Sequence, residues 1–174
     1  MDLKYVLYEK KDQVARVTLN RPEVLNALHP PAHDELNRVW ADFIADDDCW
    51  VAILTGSGER AFCAGADLKY RAAEASGEEL RYPVYRQHIL DRCWKPVIAA
   101  VNGYALGGGL QLMLRCDVIV AADHAKLGAP EARRAQLDDT GAIKFPKRIP
   151  YHVAMGMLLT GRYISAGRPS ASVW

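Results

Sequence analysis

The chain has 174 residues, half of them apolar and a quarter charged, with a formal net charge of +1. That length holds one domain with a real core, and the near-neutral charge gives no electrostatic footprint for nucleic acid or an anionic membrane. No apolar run approaches the roughly 18 residues that span a bilayer. The charged start MDLKYVLYEKKDQ lacks the apolar core of a secretory leader. Cys49, Cys63, Cys93 and Cys116 form no CxxC pair, so reduced thiols, no metal site and a cytoplasmic setting are expected.

In chain order, Val14 to Leu19 alternates as a strand does, and Asn20-Arg21-Pro22 ends it. Leu36, Val39, Trp40, Phe43 and Ile44 share one helical face. Pro31 stands near that helix start, and Asp34-Glu35 are placed in its first turn, where the helix dipole favours acids. Val51 to Leu54 is a short buried-type strand. Ala61 to Lys69, AFCAGADLK, is rich in turns. Arg71 to Arg81 is a loop or a loose helix. Gln87 to Trp94 has a helical pattern that Pro96 stops, and Val97 to Val101 is a strand again. Asn102-Gly103 turns into the glycine run. Asp117 to Ala122 is strand-like, and Val153 to Leu159 is helical. Short strands alternating with helices, with no linker or internal repeat, define an α/β domain.

The run ALGGGLQLMLRCD puts Gly107, Gly108 and Gly109 ahead of a helix. Glycine is poor at a helix start unless bare backbone must touch something. A dinucleotide fingerprint beginning at Gly107 needs glycine at position 112, where leucine stands. Neither a Gly-Lys-Ser/Thr phosphate loop nor a GxSxG elbow occurs. A strand, a glycine turn and a helix remain. The N–H groups of such a helix start are unpaired and lie at the positive end of the dipole. They suit a developing oxyanion, and a pair suits it better than one. The FCAGAD turn offers a second free N–H at Ala66.

The blocks NRPEVLNAL, AFCAGADLK, PVIAAVNGYALGGGLQL with CDVIVAAD, and GAPEA stand in order with plausible spacing. Together they resemble the crotonase superfamily of enoyl-CoA hydratases and isomerases, from about Val14 to Ala166. The resemblance implies a ClpP/crotonase-like spiral of stacked ββα units, a homotrimer or hexamer, and an acyl-CoA thioester as substrate in fatty acid metabolism. CoA then arrives with the substrate, and no other cofactor is implied. In the family two backbone N–H groups hold the thioester oxygen, and those positions fall on Ala66 and Gly108. CoA contacts fall on Ala27 in the loop Asn26-Ala27-Leu28, and on Ala64, Asp67, Leu68 and Lys69 in the segment Ala64 to Lys69. Lys69 is the expected neighbour of a phosphate or the adenine.

Hydratases of the family carry two glutamates, one in GGGxE and one in GxPE. Glu131 matches the second, and Gln111 stands at the first. Glutamine can orient a water or a substrate, but it cannot exchange a proton as a carboxylate does. Relatives such as dienoyl-CoA isomerases place an aspartate eight residues beyond the PE position, here Asp139. The resemblance therefore implies a lyase or isomerase with Glu131 as the main acid/base, Gln111 as a positioning group and Asp139 as a possible second acid/base. Hydration or dehydration of a 2-enoyl-CoA leads. A one-glutamate double-bond isomerase and a non-catalytic acyl-CoA-binding relative are the alternatives. The five histidines match no motif position and are expected on the surface or in packing.

Members of the family continue past LLTGRYISA into helices that close the pocket and contact neighbouring subunits. The last eight residues here, 167–174, carry no family pattern. The expected organisation is a core domain over 1–166, with the C-terminal helical part missing, and an atypical tail over 167–174. Codons for Ala166 to Trp174, read from the third base of the Ala166 codon, can yield Arg-Lys-Ala-Leu-Gly-Phe-Gly-Leu. That string matches the family continuation, so an out-of-frame tail is expected and the DNA sequence decides it. Exposed apolar surface is expected near Val153 to Leu159.

Overall fold

The computed structural model describes residues 1–75, 89–136 and 139–167. Within them two sheets share the chain. The larger contains β1 (Val6–Lys11), β2 (Val14–Leu19), β3 (Val51–Gly56), β5 (Val97–Val101) and β7 (Val118–Ala121), in that spatial order. The smaller contains β4 (Ala61–Cys63), β6 (Tyr104–Leu106), β8 (Lys126–Gly128) and β9 (Tyr163–Ser165). Apart from the antiparallel pairs β1–β2 and β8–β9, all neighbours are parallel. Each of the pairs β3–β4, β5–β6 and β7–β8 puts one strand in each sheet before a helix or 3-10 turn follows. Three successive coils result, and the small sheet gathers their turns on one side.

The alternation read in Val14 to Leu19 holds residue by residue, with Ala15, Val17 and Leu19 buried. Register carries that row across the sheet, from Ala15 to Ala52 to Val97 and from Val17 to Leu54 to Ala99. Helix α1 (Pro30–Ala45) covers it with Leu36, Val39, Trp40 and Phe43, all at most 1% exposed. Burying each large side chain is worth about 1.5–3 kcal/mol.

Strand β1 was not legible, because only Val6 of VLYEKK is buried. Glu35 explains how such a polar strand starts where it does. Its carboxylate is buried and accepts the N–H groups of Lys4, Tyr5 and Val6 at 3.0, 2.7 and 3.0 Å. The reading of Asp34-Glu35 as first-turn acids is corrected: the helix starts at Pro30, its first turn holds no acid, and Glu35 ties down the chain terminus.

Helix α2 (Leu68–Ala75) begins inside AFCAGADLK and takes in the start of Arg71 to Arg81, whose remainder lies outside the described residues. The helix expected over Gln87 to Trp94 is a 3-10 turn, Ile89–Arg92, with its first two residues outside the described ones. Helix α3 (Gly108–Met113) follows the glycine run, and β6 stands between β5 and that run. A 3-10 turn, Pro130–Arg134, is followed by α4 (Asp139–Lys144) and α5 (Tyr151–Thr160). In α5, Val153 and Met157 are buried while Leu159 is 71% exposed. A further apolar surface lies on the edge strand β7, where Val118, Ile119 and Val120 are all exposed. Residues 168–174 lie outside the described residues. Among the described residues no helix is long and apolar enough to cross a membrane.

Candidate active site

The turns after β4 and β6 and the 3-10 turn after β8 line one cavity of about 780 Å³. It contains every expected site residue except Asp139: Ala66, Gly108, Gln111 and Glu131, with Ala27, Ala64, Asp67, Leu68 and Lys69. Asp139 opens α4, and its side chain, like Asp138, lies outside the described residues.

Ala66 forms an isolated parallel bridge with Leu28. Leu28 donates its N–H to the Gly65 carbonyl at 2.7 Å, and its own carbonyl accepts the Asp67 N–H at 2.8 Å. Those bonds engage the residues on either side of Ala66. In an extended chain the intervening N–H then points the other way, which is toward the cavity. Behind this turn, the buried Asn26 accepts the Arg21 N–H and donates to the carbonyls of Ser57 and Ala61.

Each of the three glycines answers a different demand. Gly107 has φ of +53°, and a methyl group on it would sit 2.9 Å from Glu131 Oε1. The Glu131 carboxylate therefore lies directly against the glycine turn. A methyl group on Gly108 would sit 3.7 Å from the Ala66 nitrogen, and one on Gly65 would sit 3.0 Å from the Gly108 nitrogen. The two amides thus border one small space that bare backbone keeps open. A methyl group on Gly109 would fall 2.1 Å from the Cys63 carbonyl oxygen, so α3 packs onto β4 through hydrogen alone. Neither the Ala66 nor the Gly108 N–H has an acceptor among the described residues. Glu131 comes from the third coil, with Oε2 buried. Gln111 lines the same cavity from the first turn of α3.

Asp67 is committed to structure. Its carboxylate pairs with Arg21 at 3.0 Å and accepts the N–H groups of Lys69 and Tyr70 as the cap of α2. Burial pushes its acidity toward higher pKa, but Arg21 and the two N–H groups outweigh it and hold the carboxyl below its ordinary value. Arg21 also donates to the Ala27 carbonyl at 2.7 Å, joining both walls of the turn. His29, expected on the surface or in packing, is buried between the rings of Tyr5 and Tyr70. Burial and the nearby Arg21 lower its pKa.

Sequence reading did not single out Arg134, Gln136 or Tyr163, which also line the cavity. Arg134 sits three residues after Glu131 in a five-residue 3-10 turn, too short for any period to show in the sequence. Tyr163 arrives from β9, far along the chain. Among the described residues no group of three or more His, Cys, Asp or Glu could hold a metal ion. Cys63 and Cys116 are buried, and burial pushes each thiol up to about 12.

The profile of the enoyl-CoA hydratase/isomerase family matches residues 9–169. The chain belongs to that family. It is 45% identical over 164 residues to the (E)-benzylidenesuccinyl-CoA hydratase of Thauera aromatica, covering 92% of this chain and 64% of that one. It is 39% identical over 160 residues to the carnitinyl-CoA dehydratase of Proteus mirabilis, covering 90% and 60%. The crystal structure of an enoyl-CoA hydratase from Mycobacterium tuberculosis H37Rv superposes with a TM-score of 0.83 at 40% identity, covering 93% of this chain and 64% of that one. The enoyl-CoA hydratase/isomerase chain described here thus has the crotonase spiral and spans less than two thirds of the length of these relatives.

Proposed function

We propose that this enoyl-CoA hydratase/isomerase chain hydrates a 2-enoyl-CoA, or dehydrates the 3-hydroxyacyl-CoA, through an enolate held by two backbone amides. The observation that carries the reading is the pair of amides, Ala66 and Gly108, bordering one space with the Glu131 carboxylate against the same turn. The thioester oxygen accepts both N–H groups, and its charge grows as the enolate forms. Each such donor is worth about 2.7–4 kcal/mol of barrier. Glu131 takes a proton from water as the water oxygen bonds to C3. The electron pair of the double bond moves to the thioester oxygen. Glu131 then returns the proton to C2 and the enolate collapses. Gln111 orients the water by hydrogen bonds. Lys69, Leu68, Ala64 and Ala27 line the path of the CoA arm. Trimeric or hexameric assembly and a cytoplasmic setting belong to the same reading.

A second reading is favoured by Gln111 itself. With one carboxylate in place of two, Glu131 can shuttle a proton between carbons with no water added. Mass spectrometry of 2-enoyl- and 3-enoyl-CoA thioesters in heavy water separates the two. Addition of a whole water supports hydration. Deuterium at carbon without added water supports the isomerase. Unchanged thioester that remains bound supports a binding protein and ends both. Glu131→Gln is expected to slow turnover by about 10²–10⁴-fold while binding persists.

A further inference from the structure

We infer that His29 is a positioning residue for the Ala66 amide, an uncharged wedge that keeps the neighbouring Leu28 in place against the turn. The inference rests on the role given to that amide above, and it adds a residue that touches no reacting atom. His29 directly follows Leu28, whose N–H and carbonyl grip Gly65 and Asp67 on either side of Ala66. Its own carbonyl opens α1 by accepting the His33 N–H at 3.1 Å. His29 is 5% exposed, and its ring stands edge-to-face between Tyr5, at 4.4 Å, and Tyr70, at 5.7 Å. Tyr5 lies just ahead of β1 in the segment that Glu35 ties down, and Tyr70 belongs to α2, which Asp67 caps. One side chain therefore spaces three pieces of chain around the Ala66 turn.

The slot suits the ring only without charge. Nδ1 is buried and has no hydrogen-bond partner among the described residues. A neutral imidazole leaves one nitrogen unbonded at a modest cost, whereas an imidazolium has two donors to satisfy. Arg21, Asp67, Glu35 and Lys4 are the charged groups around the ring, and neither carboxylate among them is free. Asp67 pairs with Arg21 at 3.0 Å, and Glu35 accepts the N–H groups of Lys4, Tyr5 and Val6. The Tyr5 ring already faces two cations, Lys4 at 5.2 Å and Arg21 at 5.7 Å. His29 also occupies the N-cap of α1, at the positive end of the helix dipole, which disfavours a further cation. Burial and Arg21 accordingly hold the folded ring below its ordinary pKa of 6.5. The unfolded chain binds the proton first, so the slot contributes its full stability above pH 6.5 and loses it as the pH falls toward the folded midpoint. Below that midpoint the charged ring leaves for water, and Leu28 and α2 lose their common brace.

The test reads the infrared carbonyl band of hexanoyl-CoA, a saturated thioester, bound to the chain, alongside an NMR titration of the His29 ring. Hydrogen bonds from the two amides shift the band to lower frequency. His29→Ala removes the wedge and should return the band by about half of that shift, as the loss of one of two donors gives. His29→Phe keeps a ring that cannot titrate and should preserve the shift at every pH. In the parent, the ring should titrate below pH 6.5, and the band should make the same partial return as the pH falls through that midpoint. A ring that titrates at or above 6.5 overturns the inference and leaves the acyl-CoA reading standing. So does an unmoved band in His29→Ala, because the ring then only fills space. An equal acid-induced return in His29→Phe overturns it too, because another group then titrates. Failure of the thioester to bind the parent overturns the inference together with the reading beneath it.

Discussion

The turn Cys63–Asp67 and the turn Leu106–Gly109 occupy equivalent places in successive coils, each between a strand of the small sheet and a helix. The first is held by hydrogen bonds: Leu28 brackets Ala66, Asn26 ties three backbone segments, and Arg21 pins Asp67. The second is held by closeness. Gly109 lies on the Cys63 carbonyl, Gly107 lies under the Glu131 carboxylate, and the Gly107 N–H reaches the Gly128 carbonyl at 2.9 Å. The first turn accordingly carries side chains at Ala64, Ala66 and Asp67, and the second carries none across three residues. The candidate site is thus built between a wall held largely by hydrogen bonds, with Gly65 its one close contact, and a wall held largely by the close packing of Gly107 and Gly109.

Gly109→Ala puts that contrast to its hardest test. Its methyl group meets backbone at 2.1 Å, so a stability loss of about 3 kcal/mol is expected in urea unfolding. A variant as stable as the parent would break the comparison. One residue earlier, Gly108→Ala makes only ordinary contacts, so the unfolding midpoint should hardly move. Turnover should still fall by about a hundredfold, roughly 2.7 kcal/mol, because the methyl group occupies the space between the amides. Unchanged kinetics there would remove that space from the mechanism.

On the hydrogen-bonded side, Asn26→Ala leaves buried backbone groups without their partner and is expected to cost about 2 kcal/mol. A graded loss that tracks the number of bonds removed would sharpen the comparison; an all-or-none loss would blur it. Asp67 supplies the smallest effect. Its folded pKa lies below its unfolded value of 3.8, so its contribution is full above that pH and is lost as the pH falls through the folded value. Asp67→Asn should therefore flatten the acid limb of stability against pH, by about 1 kcal/mol or less. An unchanged acid limb would show that the ion pair with Arg21 does not hold the turn.

What could be read from the sequence follows from how local each feature is. The strands of the large sheet announce themselves because Ala15, Val17 and Leu19 alternate with polar neighbours. The helix α1 is visible because its buried residues recur with its own period. The four site groups were legible through short motifs whose glycines have a steric reason to be there. Strand β1 was hidden because its position depends on a carboxylate far along the chain, Glu35. The three-residue strands β6 and β8 are shorter than any pattern can register. Arg134 escaped because its face is set by a 3-10 turn, and Tyr163 because a distant strand brings it in.

The unpartnered amides of Ala66 and Gly108 have a consequence for hydrogen exchange. Most backbone protons of a folded chain exchange only when a hydrogen bond opens. These two have no acceptor within the described residues and face a cavity, so in the free protein they should exchange among the fastest of their coils. A bound thioester oxygen should slow both together, and a ligand lodged elsewhere in the groove should slow neither. The same two protons that would steady an enolate are thus a built-in label for where the carbonyl of a ligand comes to rest.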